Sequence, residues 1–85
     1  MHTVDLLDRA LAAAQQLGFK VRQEWIGGFG GGGCQIKNQK WIFVDIALSP
    51  ADQLRQVAEA LRGDPGLPEL QLASELRHVV QRKAA

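Results

Sequence analysis

The chain has one cysteine, Cys34, so no disulfide can close within it, and only two histidines, His2 and His78. It contains no C-x-x-C pair and no H-E-x-x-H stretch, so a zinc site would have to borrow carboxylates; neither a metal nor a cofactor is expected. An excess of one charge is also missing: ten Lys and Arg face nine Asp and Glu, a formal charge of +1. That balance predicts no binding to nucleic acid and no attraction to an anionic membrane. No apolar run reaches the roughly 18 residues that suggest a membrane-crossing helix. The opening Met1-His2-Thr3-Val4-Asp5 lacks the basic stretch of a leader. Together these absences lead to the expectation of a cytoplasmic protein.

What remains, 85 residues with 46% hydrophobic and 22% charged content, suits one small globular domain over residues 1–85 with a thin core. From Thr3 to Leu17 the residues Val4, Leu7, Leu11, Ala14 and Leu17 recur at helical spacing, with Thr3 placed to cap and Asp5 in the first turn. Gly18 then predicts a left-handed stop, with Phe19 folding back on the last turn. In Phe19–Ile26, the residues Phe19, Val21 and Trp25 alternate with Lys20, Arg22 and Glu24, the pattern of a half-exposed strand.

Beyond the glycines, Cys34–Lys37 and Lys40–Ile46 flank Asn38-Gln39, which predicts a hairpin with a two-residue turn and Asn38 at positive φ. The last of these strands is apolar on both faces, with Ile42, Val44 and Ile46 on one side and Trp41, Phe43 and Asp45 on the other, as expected of a central strand. Ser49-Pro50-Ala51-Asp52 supplies an N-cap, a proline at N1 and an acid at N3 for a helix that buries Leu54, Val57, Ala58 and Leu61 and closes at Gly63. The Asp64–Pro68 segment has room for a short turn only. Ser74 then opens a last helix with Leu76, Val79 and Val80 on one face and Arg82 and Lys83 at its end. The expected fold is α+β, a three-stranded antiparallel sheet with helices in the order α-β-β-β-α-α.

Six of the nine glycines fall within Gly27–Gly33. Gly28-Phe29-Gly30-Gly31-Gly32-Gly33 fits G-x-G-x-x-G literally, but a strand follows where a dinucleotide-binding turn needs a helix, and no Lys-Ser or Lys-Thr makes it a Walker loop. The run therefore reads as a loose or bulged link between strands. The other use is a backbone nest for a small anion or ligand. Cys34 beside it reads as a small buried hydrophobe in preference to a nucleophile. Asp45, within an apolar strand, needs a partner; a strand-end cap or a Lys or Arg pair is expected. His78 reads as a surface or boundary residue.

Trp25, Trp41 and Phe43 would share a sheet face if the register allows. Helical cover makes them core; without it they form an apolar patch that a partner or second copy would bury.

The hairpin ending in Ile42-Phe43-Val44-Asp45 and the helix Ser49–Leu61 resemble the core of ImmA/IrrE-type zinc metallopeptidases, over roughly residues 4–63. In that family the corresponding helix bears an AHELGH-like motif. Ala58 and Leu61 match it, whereas Glu59, Ala60 and Gly63 stand where its two zinc histidines and catalytic glutamate would be. The resemblance thus implies a scaffold without the peptidase. The Gly-rich stretch through Cys34, with Leu48-Ser49-Pro50-Ala51-Asp52-Gln53-Leu54, is also similar to short bacterial proteins with a Gly-rich hairpin, a likeness that implies the fold and no activity.

The expected function is a non-catalytic interaction module that binds protein, its own copy included. Its contacts would come from Trp25, Trp41 and Phe43, with Gly28, Phe29, Gly30, Gly31, Gly32 and Cys34 adapting around them. The alternative is a domain whose Gly27–Gly33 loop binds a small anion or ligand.

Overall fold

The computed structural model describes residues 2–27 and 30–81. Gly28, Phe29, Arg82 and Lys83, four positions with expected roles, lie outside the described residues. The order is α1 (Thr3–Gln16), β1 (Lys20–Glu24), β2 (Gly32–Ile36), β3 (Gln39–Asp45), α2 (Pro50–Arg62), a single 3-10 turn (Leu67–Glu69) and α3 (Ser74–Gln81). The fold is α+β.

Helix α1 ends as its sequence predicts. Gly18 has φ of 92°, its amide donates to Gln15 O at 3.0 Å, and the Phe19 amide donates to Ala14 O at 3.0 Å, completing a Schellman motif. Its start differs from expectation: Thr3 is already helical and His2 holds the cap position with no side-chain bond. The buried stripe is also rotated. It runs through Leu6, Leu7, Ala10, Ala13 and Ala14, leaving Val4 exposed, because α1 packs on α2 as well as on the sheet and its alanines allow close approach. Helix α2 follows its signals fully: Ser49 Oγ accepts from the Asp52 amide at 3.2 Å, and Leu54, Val57, Ala58 and Leu61 are buried. In α3, Leu76 and Val80 reach the core and His78 is exposed.

The sheet corrects the antiparallel expectation. Its order is β1-β3-β2, with β1 parallel to β3 and β2 antiparallel to it. Strand β3 takes the centre because its Ile42 and Val44 are wholly buried, whereas β1 with its charges and β2 with its glycines suit the edges. The glycine segment therefore carries the chain from one edge of the sheet to the other, and β2 returns it for the parallel pairing. The hairpin turn is also one residue earlier than expected. Lys37 and Asn38 occupy it, with φ of 50° and 67°, so Ile36 faces Gln39. A turn at Asn38-Gln39 would have set Lys37 directly against Lys40, and the observed register avoids that repulsion.

Register assigns the two faces. Ile42 and its neighbour Val21 face the helices, where Ile42 and Val44 join Leu54, Val57, Leu61 and the α1 alanines in the core. Lys20, Trp41 and Cys34 lie side by side on the opposite face, as do Arg22, Phe43 and Gly32. Trp41 and Phe43 are not part of the core cluster.

Candidate functional site

The face turned away from the helices is organised by β3. Trp41 and Phe43, two residues apart on one strand, stack with ring centroids 5.8 Å apart and planes within 10°. Each shields one side of the other, which is why both are half-buried without helical cover. The Lys20 ammonium stands 5.5 Å from the Trp41 ring centroid, a cation–π contact from β1, and Arg22 beside Phe43 pairs with Glu24 along the same strand. An aromatic pair is thus bordered by cations on the β1 side and by the small residues Gly32 and Cys34 on the β2 side.

Cys34 corrects a second expectation, being exposed and free where a buried hydrophobe was anticipated. Its position opposite Trp41 on an edge strand, on the face without helices, is the reason. Trp25 also departs from the expected trio. It lies beyond the end of β1 and is 75% exposed, and among the described residues no ring contact joins it to Trp41 or Phe43.

The glycine segment is held by its own chain. A Cβ on Gly31 would meet Gln56 Nε2 at 2.7 Å and Phe43 O at 3.0 Å, and one on Gly33 would meet Ala60 Cβ at 3.0 Å. These two positions are therefore small because α2 lies against β2. Gln56, which the sequence offered no means of singling out, ties the parts together: its Nε2 donates to Gly30 O at 3.3 Å and its Oε1 accepts from the Asp45 amide at 3.1 Å. Gly31 in addition has φ of 94°, a region that side chains disfavour. Gly32 and Gly30, also at positive φ, have open space around them.

Asp45 acts as the expected strand-end cap. Fully buried, it accepts at Oδ1 from the Ile26 amide at 3.0 Å, where the glycine segment begins, and from the Ala47 amide at 2.9 Å in the turn to α2.

On the helix side a groove of about 500 Å³ runs between β2 and α2, lined among others by Gly33, Gln35, Lys40, Glu59, Ala60 and Gly63. Lys40 spans its end. Its ammonium donates to Asp64 Oδ1 at 2.7 Å and to the Leu17 carbonyl at the end of α1, and lies 4.7 Å from the Phe19 ring centroid. The Lys40 hydrogen bond is the main cause holding the Asp64 carboxyl below its ordinary value; the Gly66 amide assists and burial opposes. This pair joins three chain segments and was not evident from residues 24 positions apart. Among the described residues no group of three or more His, Cys, Asp and Glu could hold a metal ion, and no helix is long and apolar enough to cross a membrane.

No family model, curated protein or solved structure matches the chain.

Proposed function

We propose that this chain is a non-catalytic protein-interaction module of the cytoplasm, with the open sheet face as its contact surface. The observation that carries the reading is the stacked Trp41–Phe43 pair, which lies outside the core although it supplies two of the chain's five aromatic residues. A rigid aromatic pair bordered by cations has the composition of an interface centre, where aromatics and Arg are enriched and few residues supply most of the energy. Trp25 adds an apolar contact beyond the sheet's end. The likeness to the peptidase core belongs to the same proposal, as a scaffold that uses its sheet for contact and leaves the helix positions of Glu59, Ala60 and Gly63 without chemistry.

The anion-binding alternative draws less support. Gly31 and Gly33 have a sufficient reason in the nearness of α2, with no ligand needed to explain them.

Native mass spectrometry across a protein-concentration series, with and without Trp41→Ala and Phe43→Ala, tests the proposal. Association that weakens at least tenfold in either variant, while the thermal transition is retained, is the expected result. Association indifferent to both substitutions would remove the aromatic face from the interface, and a reproducible added small mass would transfer the case to ligand binding.

A further inference from the structure

Among the described residues no strand pairs with the outer edge of β2, and that edge has a definite backbone pattern. A two-residue turn with both residues at positive φ makes Ile36–Gln39 the hydrogen-bonded pair that closes the hairpin. Pairing then alternates along the ladder. Gly32, Cys34 and Ile36 direct their amides and carbonyls to β3, while Gly33 and Gln35 direct theirs outward. The two edges of the sheet differ in how they are guarded. Strand β1 carries Lys20, Arg22 and Glu24, charges of the kind that deter edge pairing; β2 reads Gly-Gly-Cys-Gln-Ile, with neither charge nor proline.

We infer that a second copy of this chain pairs with β2, edge to edge and antiparallel, about a two-fold axis passing beside Cys34. This rests on the interaction-module reading and adds to it the partner and the register, with the open face entering the contact through the stacked Trp41–Phe43 pair, whose Phe43 neighbours the Gly32 that Ile36 of the second copy is set against. The register follows from the strand itself. The antiparallel overlap of all five residues pairs Gly33 with Gln35 of the second copy through two hydrogen bonds, twice by symmetry. It also sets Ile36 opposite Gly32 of the second copy. Ile36 is 48% exposed in the single chain, and Gly32 offers it a position with no side chain, next to the Phe43 that neighbours Gly32 on β3. The strand is thus bulky at one end and empty at the other, which is the condition for fitting its own two-fold image. The result is one six-stranded sheet in which both Trp41–Phe43 pairs share a continuous face.

Cys34 reports the register. In this pairing it faces Cys34 of the second copy as a non-hydrogen-bonded pair, with Cα atoms about 4.5 Å apart, inside the window of roughly 4.4–6.8 Å that a disulfide requires. The experiment combines analytical ultracentrifugation of the full chain with brief oxidation by diamide, which accepts the two electrons and two protons released as two thiols become one S–S bond. A concentration-dependent dimer that diamide makes covalent within minutes is expected, with no covalent dimer in Cys34→Ser. Gln35→Pro removes an outward amide without touching the β3 pairing, and should weaken association at least tenfold with the thermal transition retained. Should that variant fail to fold, Ile36→Lys takes its place, with the same weakening expected. A dimer that resists diamide and survives these edge substitutions, yet is lost in Trp41→Ala, would overturn the edge pairing and leave the interaction reading intact. A chain monomeric to millimolar concentration would overturn the second copy as partner. If its Gly33 and Gln35 amides then gained exchange protection only on adding an extended peptide, the edge would belong to a foreign strand.

Discussion

Gly33 of β2 lies so close to Ala60 of α2 that a Cβ on the glycine would stand 3.0 Å from the alanine Cβ. Strand and helix meet there with no side chain between them on the strand side. Gly33→Ala should therefore destabilise the domain by about 1 to 3 kcal/mol, the usual cost of overpacking. Gly31→Ala should cost more, since it adds an unfavourable backbone conformation and an approach to Phe43 O. Urea denaturation of the two variants checks both the loss and the ranking; a neutral Gly33→Ala would mean that α2 yields freely at this contact.

Asp45 accepts from amides of different segments, those of Ile26 and Ala47 among them. Asp45→Ala should leave both without their acceptor and cost about 2 kcal/mol or more, with Asp45→Asn less damaging because an oxygen acceptor remains. Hydrogen exchange at Ile26 and Ala47 would show the loss locally. Unchanged protection at both in Asp45→Ala would contradict the capping role.

The Lys40–Asp64 pair predicts an acid dependence of stability. The Asp64 folded-state value is lowered from 3.8, chiefly by the Lys40 hydrogen bond, so at low pH the unfolded chain binds the additional proton. The contribution is present above the unfolded value and is lost as pH falls through the folded one. Asp64→Asn should flatten that part of the curve and lower stability at neutral pH. Lys40→Met should cost on the order of 2 kcal/mol, less than for a fully buried pair because the lysine side chain is 35% exposed. Thermal melts from pH 2 to 7 decide: identical acid limbs for wild type and Asp64→Asn would exclude the linkage.

Cys34 is exposed on an edge strand. In dilute, folded protein it should react fully with a thiol reagent such as dithionitrobenzoate, without denaturant, in a single phase. Labelling that waits for unfolding would show that the thiol is buried, as its sequence position had suggested.

The candidate surface was only partly legible in advance. Alternation along the third strand placed Trp41 and Phe43 together, because successive strand residues point to opposite faces whatever the neighbours are. Whether a helix covered that face depended on where α1 and α2 settled, a matter of long-range packing. Trp25 would join the pair only if the strand register carried it onto the same face, and β1 stops at Glu24. The exposure of Cys34 is not legible from the sequence, because a small apolar side chain carries no mark of the face it takes. Gln56 and the Lys40–Asp64 pair left no local trace, since their partners come from distant segments.

The sequence by itself determined the elements and most of their ends: the Schellman close at Gly18, the Ser49 cap, the stripe of α2, and a hairpin with Asn38 at positive φ. These depend on hydrogen bonds and periodicities within about four residues, so they are readable locally. Only the tertiary structure decided that β3 lies between β1 and β2, that β1 runs parallel to it, and that, among the described residues, one sheet face has no helix over it. A glycine-rich link is compatible with either a hairpin or a passage across the sheet. The choice falls to the strand that gains most from burial, and Ile42 and Val44 make that strand β3.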